Sequence, residues 1–123
     1  MDRGKKSRKK VALAAKKNIT KYHMNNLKSF VEKILKKTIA ERKVYFNDIN
    51  VDEIKLIEEI FVNFLASNID VDVESYRVLK RLKSFLYSFV KKNRSISLKR
   101  RFLKTLRGLA LIKILFPFVL EAL

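Results

Sequence analysis

The chain has 123 residues, with 29 Lys or Arg against 12 Asp or Glu and one His, for a formal net charge of +17. That length excludes a second domain, the 48% hydrophobic content excludes a wholly disordered chain, and the lack of Cys excludes a disulfide framework, a thiol nucleophile and Cys-ligated zinc. One Pro and two Gly leave little turn chemistry for a sheet of hairpins, so the expected fold class is all-α: a small bundle of three to four amphipathic helices with a disordered basic N-terminal arm and an apolar C-terminal segment.

Residues 1–17 carry eight Lys or Arg and one Asp and read as a basic flexible arm. Its five small apolar residues, 11–15, fall short of the roughly 7–15 residues of a secretory h-region, so an intracellular protein is expected. The run Lys5-Lys6-Ser7-Arg8-Lys9-Lys10 has the form of a nuclear-localisation cluster, and the same composition binds phosphate. The helical domain is expected over 18–108. Leu27, Phe30, Val31, Ile34, Leu35 and Ile39 fall on one stripe of a 3.6-residue period, predicting a first helix over 25–42. Asn50, three residues before Glu53, caps a second helix that runs to about Ser67, with Ile54, Ile57, Phe61, Phe64 and Leu65 on one face and Asn68 at its end.

Asp72 is the next cap. Tyr76, Leu79, Leu82, Phe85, Leu86, Phe89 and Val90 form the stripe of a third helix over 73–92. Ser97 caps a short fourth helix containing Leu98, Phe102, Leu103 and Leu106, and Gly108 is its natural stop. Residues 109–123 form an apolar helix or tail that packs on the domain or forms an interface. It is shorter than the ~20 residues of a membrane span. Leu109, Leu111, Ile112, Leu115, Phe116 and Phe118 are its candidate contacts to a membrane or a second copy.

The charge is unevenly placed. Residues 50–74 hold seven acids and one Lys, whereas 75–108 hold twelve cations and no acid. Like charges at that density repel one another and are better neutralised by a polyanion, of which the nucleic-acid backbone is the commonest. The candidate phosphate contacts are Lys5, Lys6, Arg8, Lys9 and Lys10 in the arm and Arg77, Lys80, Arg81, Lys99, Arg100, Arg101 and Lys104 in the helices. Tyr22, Tyr45 and Phe46, off the stripes and beside cations, are candidates for base stacking. The acidic second helix either offsets the charge of the third or marks the face turned away from nucleic acid.

Other constellations carry no chemistry. His23 has no second His or any Cys to complete a metal site or a nucleophile pair, and reads as a surface residue. Asp70, Asp72 and Glu74 lack the Gly and the twelfth-position Glu of a calcium loop and read as helix-capping acids. Glu58 and Glu59, adjacent on a helix, point about 100° apart and read as a solvated face. No Gly-rich phosphate loop is present, and no catalytic residue, metal or cofactor is expected.

Leu79, Lys80, Arg81 and Lys83 spell L-K-R-x-K. Asn93, Ser97, Leu98, Lys99 and Arg101 follow an N-x-x-x-S-L-K-x-x-R element with one shift in spacing, and Gly108 leads an apolar end rich in Leu. In these elements residues 45–123 resemble a small basic protein of Polinton/Maverick and adintovirus-like double-stranded DNA elements. The apolar end is similar to the C-terminus of the adenovirus core peptide mu, although a single Gly108 stands for the paired Gly and Pro117 comes nine residues later. The resemblance implies a DNA-condensing core protein of a virion or of the nucleus. The expectation is a non-enzymatic DNA-binding protein (RNA is not excluded) that packages DNA through non-specific phosphate contacts and forms homo-oligomers through the C-terminal segment. The alternative is a membrane-active or assembly protein in which that segment meets anionic lipid beside a basic helix.

Overall fold

Leu27, Phe30, Val31 and Ile34, spaced by three and four, wind the chain into α1 (Lys21–Leu35) and are all buried on one face. The structure, a computed structural model, describes residues 21–123, so the arm expected over 1–17 lies outside the described residues. The expected continuation of this helix to residue 42 does not occur. Thr38 is extended and its hydroxyl accepts the Glu41 amide at 3.1 Å, while the Glu41 carboxylate accepts the Thr38 amide at 2.8 Å. This reciprocal capping box starts a new helix, α2 (Ile39–Asn47). Ile39 is thereby left half exposed instead of extending the stripe.

Arg42 closes the same corner from below. Its side chain is buried and donates from Nε to the Ile34 carbonyl at 3.0 Å and from a terminal nitrogen to that of Leu35 at 3.4 Å. The carbonyls orphaned at the end of α1 thus receive a cationic cap. Burial pushes the guanidinium below its ordinary pKa.

Asn50 accepts the Glu53 amide at 2.8 Å and opens α3 (Val51–Leu65), as its spacing predicts. At the other end the Asn68 amide reaches back to the Asn63 carbonyl at 2.8 Å and the Ser67 amide to that of Phe64 at 2.9 Å. This is the Schellman pattern, and its left-handed residue is Ser67, with φ of 62°. Asn68 acts instead through its buried side chain, which donates to Asn63 Oδ1 at 3.1 Å.

Asp72 caps α4 (Val73–Arg81) by accepting the Ser75 amide at 2.7 Å. The single helix expected over 73–92 is broken at Leu82, whose amide turns to the carbonyl of Leu79, three residues back, at 2.9 Å; α5 (Lys83–Val90) follows. The stripe explains the break. Tyr76, Leu79, Leu82 and Phe85 recur every three residues, a spacing that drifts around a 3.6-residue helix and is realigned by one tighter turn.

Ser95, two residues before the expected cap, accepts the Leu98 amide at 3.1 Å and starts α6 (Ile96–Lys104). Thr105 then accepts the Gly108 amide at 3.1 Å and opens α7 (Leu106–Ala122). Gly108 therefore lies inside the first turn of a helix and not beyond the end of one. A methyl group there would stand 2.2 Å from the Phe102 carbonyl oxygen and 2.8 Å from Leu103 Cα, so the glycine lets the start of α7 pass against the end of α6.

The described residues thus form seven α-helices and no strand, an all-α fold. Helix α7 is at its centre, packed against α1, α4 and α6, while α2 lies on α6 and α3 on α5 and α6. Leu109, Leu111, Ile112, Leu115 and Phe116, the candidate membrane or oligomer contacts, are buried in the chain's own core, with Phe118 half-buried beside them. Side chains turned inward in this way offer little surface to a bilayer or a second copy. Among the described residues, no helix is long and apolar enough to cross a membrane. Aromatic edge contacts bind the layers: Phe30 meets Phe116 at 6.5 Å between ring centroids, and Phe61 meets Phe89 at 5.1 Å.

Candidate nucleic-acid interface

On α4 the buried Leu79 fixes which side faces inward. Arg77, Lys80 and Arg81 then fall outward and are all exposed, as a helical period requires. Toward this end of the helix, cations also complement the backbone dipole.

On α6 the four expected phosphate contacts separate. Arg101 is exposed. Lys99 is buried, its ammonium paired with the Glu58 carboxylate of α3 and 5.6 Å from the centre of the Phe89 ring. It shares a face with Leu103 one turn on, and that face is the one α6 turns to the core. Arg100 donates from Nε to the Ile49 carbonyl at 2.8 Å, and Lys104 donates to Asn47 Oδ1, so both hold α6 against the α2–α3 connection. Lys99 is therefore a docking residue, not an open phosphate contact, while Arg100 and Lys104 are half-buried. Within 75–108, three exposed cations were not among the candidates: Lys91 and Lys92 in the α5–α6 connection, and Arg107 in the first turn of α7. The absence of any acid between 75 and 108 was the signal that could have included them. Lys5, Lys6, Arg8, Lys9 and Lys10 lie outside the described residues.

Three of the four acids of α3 are half-buried and reach partners on other helices, whereas Asp52 is exposed. Glu58 takes Lys99, and Glu59 accepts from His23 Nε2 at 2.9 Å. Glu53 takes Lys33 at 3.0 Å and also the Tyr45 hydroxyl. Glu58 and Glu59 are thus cross-helix clasps rather than a solvated pair, and His23 is a bridging group. Among the described residues, Lys99 is the one of the twelve cations of 75–108 that reaches a carboxylate.

Of the stacking candidates, Phe46 is fully buried in the core and is withdrawn from that role. Tyr45 is half-buried, with the ammonium groups of Lys33 and Lys37 at 5.0 and 5.1 Å from its ring centre. Burial first, and then the hydrogen bond to Glu53, pushes its phenol above the ordinary pKa. The hydrogen bond to Tyr45 in turn raises Lys33, with Glu53 adding to it against a smaller cost of burial. The side chain of Tyr22 lies outside the described residues. Among the described residues, no three His, Asp or Glu side chains gather where a metal ion would sit.

No family model matches the sequence, and neither a curated protein nor a solved structure does.

Proposed function

We propose that this protein is a non-enzymatic DNA-binding protein that condenses or packages DNA through sequence-independent phosphate contacts. One observation carries the reading: twelve cations lie in 75–108 without an acid, and among the described residues α3 neutralises Lys99 alone of these while its Glu53 and Glu59 are committed to α1 and α2. Arg77, Lys80, Arg81, Lys91, Lys92, Arg101 and Arg107 remain exposed for a polyanion, and the arm cations Lys5, Lys6, Arg8, Lys9 and Lys10 add to them. Phosphate contacts position a protein without reading sequence. The resemblance to small basic proteins of double-stranded DNA elements supports the same class of partner, in a virion or a nucleus.

The test is the affinity of the full chain for duplex DNA at a series of salt concentrations. About six neutralised phosphates give a slope of log K against log salt near −5, and a slope shallower than about −2 refutes the reading. Single variants sharpen it. Arg101→Ala reduces the slope by about 1, whereas Lys99→Met leaves it unchanged because that ammonium is already paired inside the fold.

A further inference from the structure

Among the described residues, Leu106 is the most exposed large apolar side chain at 86%, well above Val44 at 66%. Its place is held firmly. It follows Thr105, whose hydroxyl donates to the Phe102 carbonyl at 2.7 Å and accepts the Gly108 amide at 3.1 Å, and it precedes the glycine that brings α7 against α6. The first turn of α7 is thus pinned from both sides, and it projects one leucine into solvent. Arg107 stands next to it and Arg101 lies five residues earlier in the chain, on α6, both exposed. At its foot is an open groove between α5 and the α6–α7 corner, floored by Phe85 and Phe102 and edged by Ser84 and Ser88. The helices that form this groove carry no acid up to residue 108.

Resting on the DNA-binding reading, we infer that Leu106 is a wedge that enters a base step of duplex DNA and bends it, while Arg101 and Arg107 hold the flanking phosphates. A lone apolar side chain between cations suits the opening of a stacked step, which proteins accomplish with a single Leu, Phe, Ile, Met or Pro. A bilayer is a poorer match. Interfacial binding scales with the apolar area of a whole helix face, and here the residue after the leucine is an arginine while the apolar face of α7 is buried. Arg107 at the groove and the lack of acid on the segments around it likewise complement a polyanion and disfavour a second copy of the same surface.

The full chain is tested on an end-labelled duplex of about 30 base pairs, reading end-to-end distance by energy transfer alongside the salt slope. Wild type is expected to shorten the duplex by a bend within about 20–90°. Leu106→Ala is expected to lose the bend and about tenfold in affinity while keeping the salt slope and the melting temperature, and Leu106→Met is expected to keep the bend. A bend retained by Leu106→Ala overturns the wedge and leaves the phosphate reading standing. So does a leucine variant that lowers the salt slope or unfolds the chain, since Leu106 would then be a structural residue. Binding of Leu106-dependent vesicles of anionic phospholipid, with no bending of DNA, overturns it in favour of a membrane anchor. Absence of DNA binding by wild type removes both proposals together.

Discussion

Substituting Gly108 by Ala separates two physical readings of that position by the sign of the effect. In an open helix the change stabilises by about 1 kcal/mol, since glycine costs that much relative to alanine in a helix interior. Gly108 has no positive φ, so nothing in its own backbone opposes a side chain. Its surroundings do. The added methyl would meet the Phe102 carbonyl oxygen at 2.2 Å and Leu103 Cα at 2.8 Å, and both are backbone atoms at the end of α6 that no rotamer change can move aside. Relief requires α6 and α7 to separate, which loosens the packing of Leu103, Leu109 and Leu111, all buried. Overpacking costs about 1–3 kcal/mol in general, and a backbone obstacle places this case at the upper end. Subtracting the propensity gain leaves a loss of about 2 kcal/mol, equivalent to a melting temperature lower by about 8 °C for a chain of this length. Thermal unfolding followed by far-ultraviolet circular dichroism, with urea midpoints as a second measure, reads the difference. A melting temperature unchanged or raised in Gly108→Ala refutes the close approach of the two helices.

Two further outcomes follow from the same contacts. Ser67 holds φ of 62° at the end of α3, a conformation that costs an L-residue about 1–2 kcal/mol and glycine almost nothing; Ser67→Gly is expected to raise stability by about 1 kcal/mol in urea titration after the added chain entropy is offset, and a destabilised variant would contradict the Schellman turn. Tyr45 and Lys33 both have pKa values raised in the folded chain, so their protonated forms are favoured by folding. Their contribution is complete below the ordinary values near 10 and is lost as pH rises through the folded values. The urea midpoint should therefore fall as pH rises above about 10, and Tyr45→Phe should flatten that fall; an identical alkaline profile in the variant would show that the Tyr45–Glu53 contact is not formed in solution.

The helical class and most of the core were legible because burial repeats with the helical period: Leu27, Phe30, Val31 and Ile34 on α1, and Ile54, Ile57, Phe61 and Phe64 on α3, are buried as their spacing requires. Breaks were harder to read, for a physical reason. Ile39 continues the α1 stripe in register, so periodicity alone carries the helix across Thr38, although Thr38 and Glu41 have the spacing of a capping box. Ser95 and Ser97 are both acceptable caps, and the geometry selects Ser95. Gly108 reads as a helix stop by composition, yet Thr105 three residues before it is a cap, and the close helix crossing needs the same lack of a side chain that a stop would. Within the candidate interface, Lys99 shows what charge counting omits. A lysine one turn before Leu103 belongs to the inward face, and its partner Glu58 is 41 residues away in sequence.

The distribution of acids explains how a chain of such net charge closes a core at all. Cations brought together on packed helices repel over about the screening length of 8 Å at physiological ionic strength, and an unpaired ammonium buried at the position of Lys99 would be strongly destabilising. Glu58 removes that cost where α6 meets α3, Glu59 engages His23, and Glu53 collects Lys33 and Tyr45 where α1, α2 and α3 converge. Each of these three carboxylates lies on a seam between helices. None reaches Arg77, Lys80 or Arg81 on the outer side of α4, or Lys91 and Lys92 beyond α5. The seven acids of 50–74 therefore do not act as a general counterweight to the twelve cations of 75–108. Glu58 neutralises Lys99, the one cation of 75–108 that folding buries, and the remaining self-repulsion stays on the outside, where a polyanion that binds the folded chain would relieve it and stabilise the fold by mass action.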